Sequence, residues 1–135
     1  LRHKIGGNLN VIHDPVPGYE ARLQERVNRM LSQINEQKLI LRFNWSIQRG
    51  NELCWRPDLY PPDSNDGLYW RVERQTLRRL PITRAIVFGI RIYLESFAQL
   101  EKRIPAVRQQ VRKLIDNLDA EQRGYKGLDS ILTLL

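Results

Sequence analysis

The segment Ala85-Ile86-Val87-Phe88-Gly89-Ile90-Arg91-Ile92-Tyr93 decides the fold class. Ile86, Phe88, Ile90 and Ile92 fall on one side of a two-residue repeat, and Val87, Gly89, Arg91 and Tyr93 on the other, which is the period of a β-strand. Just upstream, Leu80-Pro81 breaks the chain, and before it Tyr69 to Leu77 alternates again. There Trp70, Val72, Arg74 and Thr76 share one face, with Arg71, Glu73 and Gln75 on the other. Further back, Ile40 to about Gln48 sets Leu41, Phe43, Trp45 and Ile47 against Arg42, Asn44, Ser46 and Gln48. Between the first two strands, residues 49–68 carry Gly50-Asn51, Pro57, Pro61-Pro62 and the run Asp63-Ser64-Asn65-Asp66-Gly67, the composition of a long irregular loop. Loops of that length are commonly functional.

Helices flank this region. From Tyr19 to about Gln37, Leu23, Val27, Met30, Leu31 and Ile34 recur at helical spacing, so an amphipathic helix is predicted over 19–37. Residues 1–18 read as a brief strand leading into the Pro15-Val16-Pro17-Gly18 turn, with His13 at the junction. Residues 94–103 are expected to be helical. Pro105 then opens a helix with Val107, Val111, Leu114, Ile115 and Leu118 as its buried stripe, and a short helix from about Leu128 to Leu134 follows the Tyr125-Lys126-Gly127 turn. Successive one-faced strands between helical ends predict an α+β fold, an antiparallel sheet over 40–93 with flanking helices and a helical tail over 94–135. We read residues 1–135 as a single domain.

Composition narrows the chemistry. Of 135 residues, 41% are apolar, enough for one core, and 22 Lys and Arg against 15 Asp and Glu leave a net charge of +7. That charge suits an anionic partner, yet the cations are spread through helices and strands, Arg108 and Arg112 among them at solvent-facing positions, so a solvated surface is the simpler reading than a nucleic-acid patch. Cys54 is the sole cysteine, which excludes an internal disulfide, a Cys-rich metal site and a Cys-x-x-Cys-His haem attachment. With only His3 and His13 beside it, a zinc site lacks ligands. No apolar run approaches the roughly 18 residues of a membrane span and no signal-peptide pattern opens the chain, which points to a cytoplasmic protein.

The unusual feature is the segment from Trp70 to Pro81, where bulky apolar groups interleave with Arg71, Arg74, Arg78 and Arg79. Arginine is the side chain best shaped to bind carboxylates or phosphates in a bidentate way. If Arg42 and Asn44 share a face with Arg71 and Glu73, that face is a polar concavity; the simpler alternative is a solvated sheet face. His13 beside a proline turn reads, on its own, more readily as a hydrogen-bonded structural residue than as a ligand.

Several stretches, in this order, resemble the haem-dependent oxidative N-demethylase-like family, formerly a domain of unknown function. They are Lys4 to Gly6 with Ile12-His13-Asp14-Pro15-Val16-Pro17, Arg42-Phe43-Asn44-Trp45-Ser46, the long Arg71 to Pro81 run, Ala85 to Tyr93, and Tyr125-Lys126-Gly127. The resemblance implies a PAS-like domain carrying haem b, with His13 as axial ligand of the haem iron, an imidazole suited to the metal and oriented by a rigid proline turn. Arg71 and Arg74 are then candidates for the anionic propionates, only one of them facing the pocket, with Arg42 and Asn44 as further pocket contacts. Glu73 becomes either a salt-bridge partner of Arg71 or a contact for a cationic amine. The implied activity is removal of an N-methyl group from a small alkylamine with dioxygen, releasing formaldehyde, with electrons from a flavin and iron–sulfur reductase. Relatives carry a segment before the Lys-x-Gly stretch, so an N-terminally truncated domain is expected. A PAS-like haem or small-ligand sensor without turnover is the alternative, and a basic module for nucleic acid or an acidic protein the third.

Overall fold

The computed structural model describes residues 5–7, 24–54 and 67–135. Helix α1 (Gln24–Gln33) is followed by strands β1 (Leu39–Arg49), β2 (Leu68–Arg79) and β3 (Ile86–Ser96), then by helices α2 (Phe97–Arg103), α3 (Val107–Asp116) and α4 (Ala120–Tyr125) and a 3-10 turn at Leu132–Leu134. The strands form an antiparallel sheet in the order β1-β2-β3. The fold is therefore α+β. The predicted strand and turn over 1–18, His13 included, and the beginning of the predicted 19–37 helix lie outside the described residues. No helix among the described residues is long and apolar enough to cross a membrane.

The chain divides into two compact units, Leu1–Ile40 with Leu77–Phe88, and Leu41–Thr76 with Gly89–Leu135. In the second unit the alternation of β1 and β2 does the sorting. Ile47 is fully buried, and Trp45 and Trp70 pack half-buried against a cluster of Phe97, Leu100, Val107, Val111, Ile115, Leu128 and Ile131 drawn from the helical tail. Each such side chain removed from water contributes about 1.5–3 kcal/mol, so this cluster is the main cohesive element of the unit. The two indoles stack at 4.9 Å with 11° between their planes, and Phe97 meets Trp70 edge-on at 6.5 Å.

The tail is punctuated by caps. Ser96 accepts a hydrogen bond from Gln99 N and starts α2, so β3 runs on through Leu94 to Ser96 where the sequence reading begins a helix at residue 94. Pro105 precedes Ala106, which takes a left-handed φ of 58° and caps α3. Asp119 accepts from Gln122 N at 2.7 Å and starts α4, a helix that periodicity does not separate from its neighbours because it is only 6 residues long. The stretch read as a last helix from Leu128 to Leu134 is turns and a single 3-10 turn. Arg112 is exposed and Arg108 half-exposed, and they also donate to the carbonyls of Leu132 and Leu134, tying that turn to α3.

Close approach of β2 and β3 requires a glycine. A Cβ on Gly89 would lie 2.8 Å from Thr76 Oγ1, inside contact distance. We predict that Gly89→Ala lowers stability by about 1 kcal/mol. Thr76→Ala in the same chain should return most of that loss, as a double-mutant cycle in urea would show.

In the first unit, α1 ends without a basic residue in its own last turn. Helix-terminal carbonyls need donors. Arg79 supplies them from β2, donating Nη2 to Leu31 O at 2.9 Å, Nε to Ile34 O at 2.7 Å and Nη1 to Arg84 O at 2.7 Å. The hairpin joining β2 to β3 closes with Leu80 N donating to Ala85 O at 2.8 Å, and Arg84, at φ 60°, donates its N–H to Leu80 O and its guanidinium to Glu36. A lysine keeps the charge of Arg79 but not its fork. Arg79→Lys is expected to cost about 1–3 kcal/mol, two or three charge-assisted bonds being lost, with chemical denaturation as the measurement.

Candidate functional site

The face of β1 and β2 opposite the tryptophans is polar and, near its centre, dry. Gln48 is fully buried, and Gln75 and Arg71 are buried at 8% and 9% exposure. A buried guanidinium must find acceptors. Arg71 donates Nε to Glu73 Oε1 at 3.2 Å, and Nη1 to both Gln48 Oε1 and Leu53 O at 3.0 Å. Gln48 in turn gives both protons of its amide away, to Gly50 O at 3.0 Å and Glu52 O at 2.9 Å. Its side chain thus fixes the turn after β1 from inside, and the turn presents the Leu53 carbonyl to Arg71. Gln75 Nε2 donates to Glu73 Oε2 at 2.9 Å, so the carboxylate is gripped on both oxygens.

The ion pair is mostly shielded, with side-chain exposures of 11% for Arg71 and 21% for Glu73. For such a pair the loss of one partner is what costs, about 3–5 kcal/mol, because the other charge is left unpaired out of water. Of the five N–H donors of a guanidinium, the two on Arg71 Nη2 meet no acceptor among the described residues. Among the described residues the face therefore holds an oriented cation with a directed pair of donors not engaged.

Lys126 closes the edge of the same face. Its Nζ donates to Trp45 O at 2.6 Å and Asn44 Oδ1 at 3.1 Å, and stands 5.1 Å from the centre of the Trp45 ring. Burial lowers its pKa from the ordinary 10.5; the Glu73 carboxylate opposes that shift and the Arg42 guanidinium adds to it.

Among the expected site residues, Arg71 and Glu73 come together as a pair. Asn44 is on the same face but is engaged by Lys126. Arg42 is exposed on β1, close enough to act on Lys126. By the alternation of β2, Arg74 points to the opposite face, so it does not join Arg71. His13 lies outside the described residues. Gln48 and Gln75 complete the network, and Lys126 lies beside it on Asn44 and the Trp45 carbonyl. The two glutamines fall on the polar side of the repeat, a signal the sequence does carry, whereas the Lys126 contact spans 82 positions and leaves no local trace. Among the described residues no cluster of three or more His, Cys, Asp or Glu could hold a metal ion.

Lys126 links stability to pH with a definite sign. Its folded pKa lies below its unfolded one, so the unfolded chain binds more protons between the two values, and this lysine's contribution to stability rises as pH climbs through the folded pKa towards 10.5. Wild type should therefore gain stability relative to Lys126→Met across that alkaline window, measured as the difference between their urea midpoints at a series of pH values. A constant difference would show that burial leaves the titration of Lys126 unchanged.

A family model described as haem-dependent oxidative N-demethylase, alpha subunit-like, matches residues 1–134. The match takes in all but the final residue, and the chain belongs to this family.

Proposed function

We propose that this member of the haem-dependent oxidative N-demethylase, alpha subunit-like family binds haem b on the polar face of β1 and β2 and takes part in removing an N-methyl group from a small alkylamine with dioxygen. One observation carries the assignment of the face: a buried arginine, held at three points, keeps two donors without an acceptor among the described residues. A propionate is an anion of the right shape for that fork. By the alternation of β3, Ile90 and Ile92 line up with each other and can give a porphyrin an apolar wall; Ile90 is 49% exposed. The residues present thus fit the group.

In this reading His13 would ligate the haem iron and Arg71 would hold a propionate. Asn44 and Arg42 sit further along β1, and Arg74 belongs to the other face. Glu73 holds Arg71 through Oε1 and, a carboxylate having about four lone-pair positions, keeps two with which to accept from an alkylammonium. Gln75 fixes the second oxygen, so the carboxylate would meet an amine in one orientation. Bound haem supplies an iron at which dioxygen is reduced. The balance is that the N-methyl carbon gives up two electrons on becoming formaldehyde, and a flavin and iron–sulfur reductase gives two more with two protons, so dioxygen ends as the formaldehyde oxygen and water. The protein's share is to orient the amine, hold the propionate charge and exclude water. We place the protein in the cytoplasm, where such a reductase draws on NADH.

The test is an absorption spectrum after haem reconstitution, for wild type, His13→Ala and Arg71→Leu. We expect a sharp Soret band that shifts on reduction and carbon monoxide addition, lost or altered in His13→Ala. In Arg71→Leu it should persist with haem affinity reduced about 10- to 100-fold, the equivalent of about 1.5–3 kcal/mol for a charge-assisted bond. Reductase-dependent release of formaldehyde from a small alkylamine then supports turnover. Stable gas complexes without amine consumption would make the protein a sensor instead, and equal spectra in wild type and His13→Ala would remove His13 from the iron.

A further inference from the structure

We infer that a groove between α1 and the start of β1 is a binding site for a free amphipathic anion, a carboxylate or phosphate head on an apolar chain of medium length. The inference is independent of the haem reading. The groove measures about 330 Å³ and lies wholly within the unit formed by Leu1–Ile40 and Leu77–Phe88. That volume is at the lower end of the range of small-molecule sites, about 300–1,000 Å³.

Three cations face it. Arg26 and Arg29 recur three residues apart on α1, and Lys38 stands just before β1. None of the three has a carboxylate within ion-pair distance among the described residues, and no acidic side chain lines the groove. Arg84, Arg103, Arg108 and Arg123, by comparison, are each matched with an acid. Glu36, which follows α1, is taken by Arg84. Three like charges around one concavity, unmatched among the described residues, raise its potential and favour an anion there.

The floor is apolar. Ile34 is buried at 3% exposure, and Met30 and Ile40 are half-buried beside it. A bare inorganic anion would use the cations and leave this floor wet, while a neutral hydrocarbon would use the floor and leave the cations unmatched. Only a ligand with both parts engages the whole surface. Gln33, also on the wall, adds an amide that can donate to the head group.

The wall is built rather than incidental. Arg79 holds the carbonyls of Leu31 and Ile34 at 2.9 and 2.7 Å, which fixes the end of α1, where Met30 lies, and Ile34 just beyond it. Preorganisation of that kind spares a ligand the cost of ordering its own site.

The experiment is a titration of the ¹⁵N-labelled full chain followed by amide chemical shifts, with octanoate and octyl phosphate as probes and acetate, octanol and octylammonium as controls. Saturable binding of the two amphipathic anions is expected, with shifts centred on α1 and residues 38–40. Acetate and octanol should bind at least tenfold more weakly, and octylammonium not at all. Arg26→Gln/Arg29→Gln should lower octanoate affinity at least tenfold while its thermal midpoint stays close to wild type. Met30→Gln gives a second handle that leaves the cations intact and should weaken octanoate more than acetate. Equal binding of octanol and octanoate, unchanged affinity in both variants, or no saturation would overturn the inference. So would cosedimentation with phosphatidylglycerol vesicles that excess octanoate fails to displace, since the charge would then serve a membrane surface. Because none of these readouts involves haem, they stand or fall apart from the spectra.

Discussion

A guanidinium taken out of water dictates the arrangement around it, and Arg71 is that group here. Its acceptors come from two strands and a turn: Glu73 two residues along β2, Gln48 on β1, and the Leu53 carbonyl beyond it. Gln48 reaches the turn carbonyls only because β1 ends where it does, and the turn reaches Arg71 only because Gln48 holds it. Shifting β1 by one residue would send Gln48 to the tryptophan side and Ile47 into the polar network. The ion pair and the hydrophobic core thus specify the same register from opposite faces of the same strands, a division of labour that costs the sheet any tolerance for slippage.

Lys126 joins those two faces. Its ammonium lies over the Trp45 ring, part of the indole stack that the helical tail packs on, while its protons go to Asn44 and the Trp45 carbonyl. The tail is itself secured by arginines rather than by long helices. Arg108 lies over the Phe97 ring at 5.5 Å and holds the Leu134 carbonyl, Arg112 holds Leu132, and Arg123 holds the Leu118 carbonyl and Asp129. Much of the chain's positive charge is used in this way as intramolecular hydrogen-bond donors.

What the sequence discloses follows the range of the interaction. Alternation is local, and the three strands, their faces and the separation of Arg71 from Arg74 can be read directly from Leu41 to Tyr93. Caps are local too, but Ser96 and Asp119 interrupt the apolar stripes on either side of them, so periodicity alone does not place these helix starts. The 3-10 turn at Leu132–Leu134 has the composition of a helix; Arg108 and Arg112 reach its carbonyls from α3, a contact that no window of the sequence contains. For the site, the pairing of Arg71 with Glu73 is visible as a two-residue spacing on one face. Closure by Gln48 and Lys126 is not, since it depends on how β1 and the tail meet β2. Arg79 is similar: one more cation in a run of four by sequence, a helix cap in space.

Gln48 bears one consequence of a different kind, in the chemistry of ageing. Its carboxamide is an acceptor on one side and a double donor on the other, and only an amide has both. Hydrolysis to a carboxylate would change a handful of atoms and almost no volume, yet it would turn both donors into a charged acceptor pressed against the Gly50 and Glu52 carbonyls. Full burial withholds the water that such a hydrolysis needs. The network that relies on this amide is therefore also what preserves it.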